Sequence, residues 1–197
     1  EKSVFTDTHS HLYLDEFQKD WEVVIQRSID QGVSRIYLPN LDSSSVEPMM
    51  TLCNRFPENC FPMMGLHPTH VKENYLEELD IAEKYLHENQ YAAIGEIGID
   101  LFWTHAMQKE QTDAFKKQLE WAKKLDIPVV IHARDSFKEI FAVMDKVCDD
   151  RLKGVFHSFT GSFFQAEQAL KYGFKIGING IVTFKNAGLD KVVAGID

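Results

Sequence analysis

The chain has 197 residues, 44% hydrophobic and 26% charged, which is the composition of a folded domain and excludes disordered, collagen-like and disulfide-scaffold classes. Its 21 basic against 30 acidic side chains give a formal net charge of −9, which argues against broad adhesion to a polyanion, because such binding needs Lys and Arg to neutralise phosphates. No run approaches the roughly 18 apolar residues of a membrane span, no basic and then apolar leader opens the chain, and Cys53, Cys60 and Cys148 have neither zinc-ribbon nor redox spacing.

The expectation is therefore one domain over residues 1–197, in the reducing cytoplasm, with no membrane or protein partner and with cysteines that serve as small buried apolar residues. From the N-terminus, short apolar or β-branched runs alternate with longer stretches of helical spacing. Residues 4–8 read as a strand, followed by a helical stripe of Trp21, Val24, Ile25, Ser28 and Ile29, and then by strands at 35–38 and 61–66. Leu76, Leu79, Tyr85 and Leu86 form the next stripe before a strand at 92–97, and Phe115, Leu119 and Ala122 precede a strand at 128–131. Ile140, Phe141 and Met144 lead to a strand at 154–156, and Phe164, Ala169 and Tyr172 to a strand at 174–178. Such runs suit parallel strands buried on both faces and covered by helices. There is no sequence repeat or linker to divide them.

Repeated strand and helix means either a (β/α) barrel or an open doubly wound sheet, and the polar residues at the strand ends decide between them. The first strand runs into Thr8-His9-Ser10-His11, where two histidines two residues apart face one side of an extended chain. The third ends at Gly65-Leu66-His67-Pro68, the fourth at Gly95-Glu96-Ile97-Gly98-Ile99-Asp100, the fifth at Ile131-His132-Ala133-Arg134-Asp135 and the sixth at Phe156-His157-Ser158-Phe159. Each has a bland reading as a satisfied polar residue. Together they place imidazoles and a carboxylate at successive strand ends, which is where a barrel gathers its site. The expected fold is α/β, a TIM-type (β/α)8 barrel. The donor set, without thiolate, suits zinc, manganese, iron or a similar divalent ion, and two such ions activate water for hydrolysis.

These motifs, in this order and spread over almost the whole chain, resemble the TatD family of metal-dependent deoxyribonucleases within the amidohydrolase superfamily. The opening Asp7-Thr8-His9-Ser10-His11-Leu12, the Pro128-Val129-Val130-Ile131 run before His132 and the His157-Ser158-Phe159-Thr160-Gly161 segment belong to the resemblance. It implies two divalent ions (Mg, Mn or Zn), with His9 and His11 on one, His132 and His157 on the other and Glu96 bridging them. It also implies that His67 lies near the scissile phosphate and that Asn40 and Arg134 are substrate contacts. Arg134 has the alternative of pairing with Asp135, and Asp100 either orients a metal ligand or stabilises a turn. His70, His87 and His105 lack strand-end context and are expected on loops or the surface. The family barrel has an eighth strand whose aspartate completes the metal site. Seven strands are recognisable before Gly195-Ile196-Asp197, and Asp197 does not match that aspartate, so the barrel is expected to be missing its eighth strand in this chain.

The resemblance implies 3′ to 5′ hydrolysis of single-stranded DNA phosphodiesters through a two-metal-activated water, with Glu96 and His67 as catalytic residues. Two alternatives stand beside it. One is a related amidohydrolase acting on an ester, lactone or amide, since the same water attacks a carbonyl. The other is a metal-binding barrel without turnover.

Overall fold

The computed structural model describes residues 4–196; Asp197 lies outside the described residues. Seven parallel strands alternate with seven helices: β1 (Phe5–Asp7), α1 (Trp21–Asp30), β2 (Val33–Pro39), α2 (Ser43–Arg55), β3 (Cys60–Met63), α3 (Tyr75–Glu88), β4 (Ile94–Asp100), α4 (Gln108–Leu125), β5 (Val129–Arg134), α5 (Phe137–Val147), β6 (Gly154–Phe156), α6 (Phe163–Lys171), β7 (Lys175–Ile176) and α7 (Leu189–Ala194). Strands β1 to β3 form one sheet and β4 to β7 another, each in chain order. The two are continued into one array by a parallel bridge between Met64 and Ile94, with Met64 N donating to Ala93 O at 3.1 Å and Gly95 N to Met64 O at 2.8 Å. Sequential parallel strands with helices between them are the order of a (β/α) barrel. Among the described residues β7 and β1 are not hydrogen-bonded to each other.

Alternation along the strands divides the interior in two. Ile36, Leu38, Val129, Ile131 and Phe156 face the helices and join the main core, which includes the fully buried Phe115 on α4 and Ile140 and Met144 on α5. The residues between them, Tyr37, Met63, Val130 and Val155, pack on the opposite face as a separate small cluster with Ala93. His132 follows Val130 by two residues on β5, so it continues that inner face toward the C-terminal mouth.

Helix α2 has no counterpart in the hydrophobic spacing. Its Ser43-Ser44-Ser45 start and internal Pro48 have loop composition, yet Asp42 caps it in a capping box with Ser45 and accepts from Ser44 N at 2.9 Å, while Val46, Met49, Leu52 and Cys53 are buried. Cys60 is buried as well, and Cys148 is half-buried. The strand at 92–97 is shifted to Ile94–Asp100, which carries Glu96 and Asp100 within one fully buried element. No helix among the described residues is long and apolar enough to cross a membrane.

One glycine sets the distance between β4 and β5. Gly98 pairs with His132, takes φ of +147°, and a Cβ there would lie 1.9 Å from the His132 carbonyl oxygen. Gly98→Ala combines a backbone conformation that only glycine adopts readily with a backbone clash, so it is expected to cost about 3 kcal/mol or more, measured as a lowered urea unfolding midpoint at unchanged slope.

Candidate metal centre

Glu96, the third residue of β4, is 3% exposed, and its two oxygens meet four imidazoles. Oε2 lies 3.1 Å from His9 Nε2 and 3.6 Å from both His11 Nε2 and His67 Nε2, and Oε1 lies 3.1 Å from His132 Nδ1. Among the described residues no lysine or arginine is paired with this carboxylate. Burial pushes the Glu96 carboxyl up, but the imidazoles of His11, His132 and His9 around it outweigh that and hold the group well below the usual carboxylate range.

The second nitrogen of each ring fixes what the first can do. Tyr13 Oη donates to the Pro39 carbonyl, so at 2.9 Å it accepts from His11 Nδ1–H and leaves an electron pair on the Nε2 that faces Glu96. His67 is the reverse. Its Nδ1 accepts from Thr69 N–H at 3.2 Å, so in the neutral ring the proton sits on Nε2. Burial, then repulsion from the neighbouring imidazoles, pushes His67 down to about 3, against the attraction of Glu96, so the ring is neutral at ordinary pH. His9 Nδ1 is buried with no hydrogen-bond partner among the described residues.

His132 stands between two carboxylates, its Nδ1 on Glu96 and its Nε2 2.8 Å from Asp100 Oδ2. Burial pulls its pKa down, but the hydrogen bonds to Asp100 and Glu96 prevail and raise it to about 9. Asp100 thus orients a site histidine while its Oδ1 also accepts from Phe102 N at 3.1 Å, which joins the two roles open to it in the sequence. Register makes the contact, because Gly98 pairs with His132 and Asp100 with Arg134 on adjacent strands.

His157 reaches the site from β6 by stacking on His9, with ring centroids 3.4 Å apart and 5° between planes. Burial and the neighbouring His9 push it down to about 4. Among the described residues, two three-residue groups have donor atoms close enough for one ion: His9, His11 and Glu96, and His67, Glu96 and His132. His157 belongs to neither. Asn40 is 1% exposed and its amide is consumed inside the loop, Nδ2 donating to Gly65 O at 2.9 Å and Asp42 O at 3.0 Å and Oδ1 accepting from Ser45 Oγ at 2.6 Å. Arg134 has no ion pair among the described residues; its guanidinium lies 3.6 Å from the Phe102 ring centroid. His70 is not isolated on the surface. Its Nδ1 is 2.7 Å from Asp42 Oδ2, tying the loop after β3 to the cap of α2.

In chelator-treated protein the elevated His132 pKa stabilises the fold. That contribution is fully present below the ordinary histidine value of 6.5 and is lost as the pH rises through about 9. Asp100→Asn removes one of the two carboxylates and is expected to lower the His132 titration midpoint followed by NMR; an unchanged midpoint would show that Asp100 does not hold the ring.

This geometry meets its relatives in three comparisons. A profile of the TatD related DNase family matches residues 6–197. The uncharacterized metal-dependent hydrolase YjjV of Escherichia coli is 31% identical over 93% of the chain and 71% of its own length, and the 3'-5' ssDNA/RNA exonuclease TatD of Erwinia billingiae is 29% identical over 93% and 70%. The crystal structure of the YjjV TatD homolog superposes with a TM-score of 0.89 at 29% identity, covering 98% of this chain and 75% of that one. An amidohydrolase from Saccharomyces cerevisiae shares the fold at 19% identity and a TM-score of 0.78. The chain belongs to the TatD related DNase family of metal-dependent hydrolases.

Proposed function

We propose that this single-domain chain is a divalent-metal-dependent phosphodiesterase that shortens single-stranded DNA from its 3′ end. The observation that carries the reading is the buried Glu96 carboxylate, met by four imidazoles and by no lysine or arginine among the described residues. A buried carboxylate is retained at such a place when something positive completes it. The residues fit a pair of divalent ions (Mg, Mn or Zn). The donors are imidazole and carboxylate without thiolate, and the partnerless His9 Nδ1 marks a site with an unfilled bonding requirement. The DNA substrate is supported by relatives whose names specify single-stranded DNA or RNA exonuclease activity.

In this reading His9 and His11 would hold one ion and His132 and His157 the other, with Glu96 shared between the two. When bound, the ions neutralise phosphate oxygens and acidify water for attack on phosphorus. Tyr13 keeps the His11 Nε2 electron pair free, and Asp100 keeps the His132 ring turned toward Glu96. His67 has the opposite task. With its proton held on Nε2 by the Thr69 amide, it donates to a phosphate oxygen as charge grows there in the transition state. Asn40 acts as a positioning residue, since its main chain accepts from Glu96 N at 3.4 Å and donates to Gly95 O at 3.2 Å while its side chain fixes the turn at Gly65 before His67. Arg134, held against Phe102 and without an ion pair among the described residues, keeps its charge for the substrate strand.

The test is chelation of the purified protein, readdition of Mg²⁺, Mn²⁺ or Zn²⁺, and incubation with a 5′-labelled single-stranded oligonucleotide. Stepwise shortening that requires the ion is expected, and Glu96→Ala is expected to slow it about a thousandfold or more, since the metal cluster supplies several kcal/mol of the barrier reduction. Intact DNA with all three ions, together with Glu96-dependent cleavage of a simple ester or lactone, would replace this substrate class with a carbonyl one.

A further inference from the structure

Two large aromatic side chains stand in solvent just past β4. Phe102 is 48% and Trp103 72% exposed, in a protein whose other tryptophans, Trp21 and Trp121, are half-buried and buried. Exposed aromatic surface of this size costs hydration free energy, and two such rings side by side beside a site are more informative than scattered ones. Their rings meet edge to face, centroids 4.8 Å apart with 86° between planes. Arg134 braces the pair, its guanidinium 3.6 Å from the Phe102 centroid and 5.5 Å from that of Trp103.

The platform is tied to the metal centre by backbone. Phe102 N donates to Asp100 Oδ1, the same carboxylate whose other oxygen holds His132, and Leu101 N donates to Arg134 O at 3.0 Å. Arg134 follows His132 by two residues on β5, so both side chains leave the strand on the same face. The aromatic rings and the guanidinium therefore stand at the same mouth as Glu96, one strand layer further out. A flat π-face next to a fixed cation suits a planar heterocycle attached to a phosphate, because every nucleobase offers a π-face and the adjoining phosphate offers the opposite charge.

We propose that Trp103, braced by Phe102 and Arg134, is a stacking subsite for a nucleobase of the single strand whose phosphate lies at the metal centre. The proposal rests on the nucleic-acid reading above. It goes further by naming the side chain that distinguishes a strand bearing bases from a bare phosphodiester.

The experiment measures equilibrium binding by fluorescence anisotropy of a labelled oligothymidylate octamer, and of an octamer of abasic deoxyribose phosphates, to the purified chain in EDTA and in Mg²⁺. Trp103→Ala is expected to weaken octamer binding by roughly 5- to 100-fold and to leave the abasic strand unaffected, while Trp103→Phe keeps most of the affinity because a π-face remains. Circular dichroism of each variant checks folding, and Trp103→Phe separates stacking from any disturbance of the loop. Equal binding of the octamer by wild type and Trp103→Ala, or equal binding of base-bearing and abasic strands by wild type, overturns the proposal. If wild type shortens DNA while Trp103→Ala binds normally, the nuclease reading survives without the subsite. If wild type neither binds nor cleaves DNA, both readings fall.

Discussion

Glu96 brings a negative charge to a place where water cannot solvate it, and the rest of the mouth is organised around that fact. A carboxylate that is 3% exposed would ordinarily take up a proton or find a lysine or arginine. Here the surrounding positions are histidines, whose charge depends on the occupant of the site. In the metal-free protein His132 answers for part of the charge by holding a proton itself, at the expense of a binding position. If the centre takes the proposed ions, such a ring would exchange its proton for a cation, which would couple occupancy of the centre to pH and to the stability of the fold.

The histidines share a residue type and differ in what stands behind them. A tyrosine that has already spent its proton on a carbonyl fixes one tautomer of His11, a backbone amide fixes the other in His67, and a carboxylate turns His132. The second atoms thus sort equivalent rings into electron-pair donors and a proton donor. Close approach of β4 and β5 at Gly98 makes the sorting possible, since it brings Asp100 level with the His132 ring without a side chain intervening between the strands.

Much of this was legible in the sequence because the chemistry sits where apolar runs stop. His9, His67 and His157 follow β1, β3 and β6, and Glu96 and His132 lie inside β4 and β5, and parallel strands of a barrel bring such positions together whatever their separation along the chain. What could not be read depends on the partner strand or on a cap. The contact of Asp100 with His132 needs the register of β4 on β5, which no local pattern encodes. Helix α2 is hidden by Ser43-Ser44-Ser45 and Pro48, because its start is made by the Asp42 side chain. Arg134 has Asp135 beside it in sequence, but Asp135 turns into the left-handed region at φ 53° and the guanidinium lies on Phe102 instead. The one signal for that arrangement was Phe102-Trp103 itself, two adjacent aromatics directly after a strand end.

Under the nuclease reading proposed above, an acidic domain acting on a polyanion has to divide recognition unevenly. With a net charge of −9, long-range attraction works against the substrate, so counterion release along the strand cannot be the main source of affinity. On that reading positive charge is needed only where phosphate is attacked, and a cation held by the donors around Glu96 would supply it there. Grip on the rest of the strand must then come from contacts that carry no net charge. The mouth has such surface in Phe102 and Trp103, with the Arg134 guanidinium fixed against them. On the proposed reading such a division would favour strands with accessible bases over duplexes, whose bases are stacked on one another and present mainly phosphate to a surface that repels it.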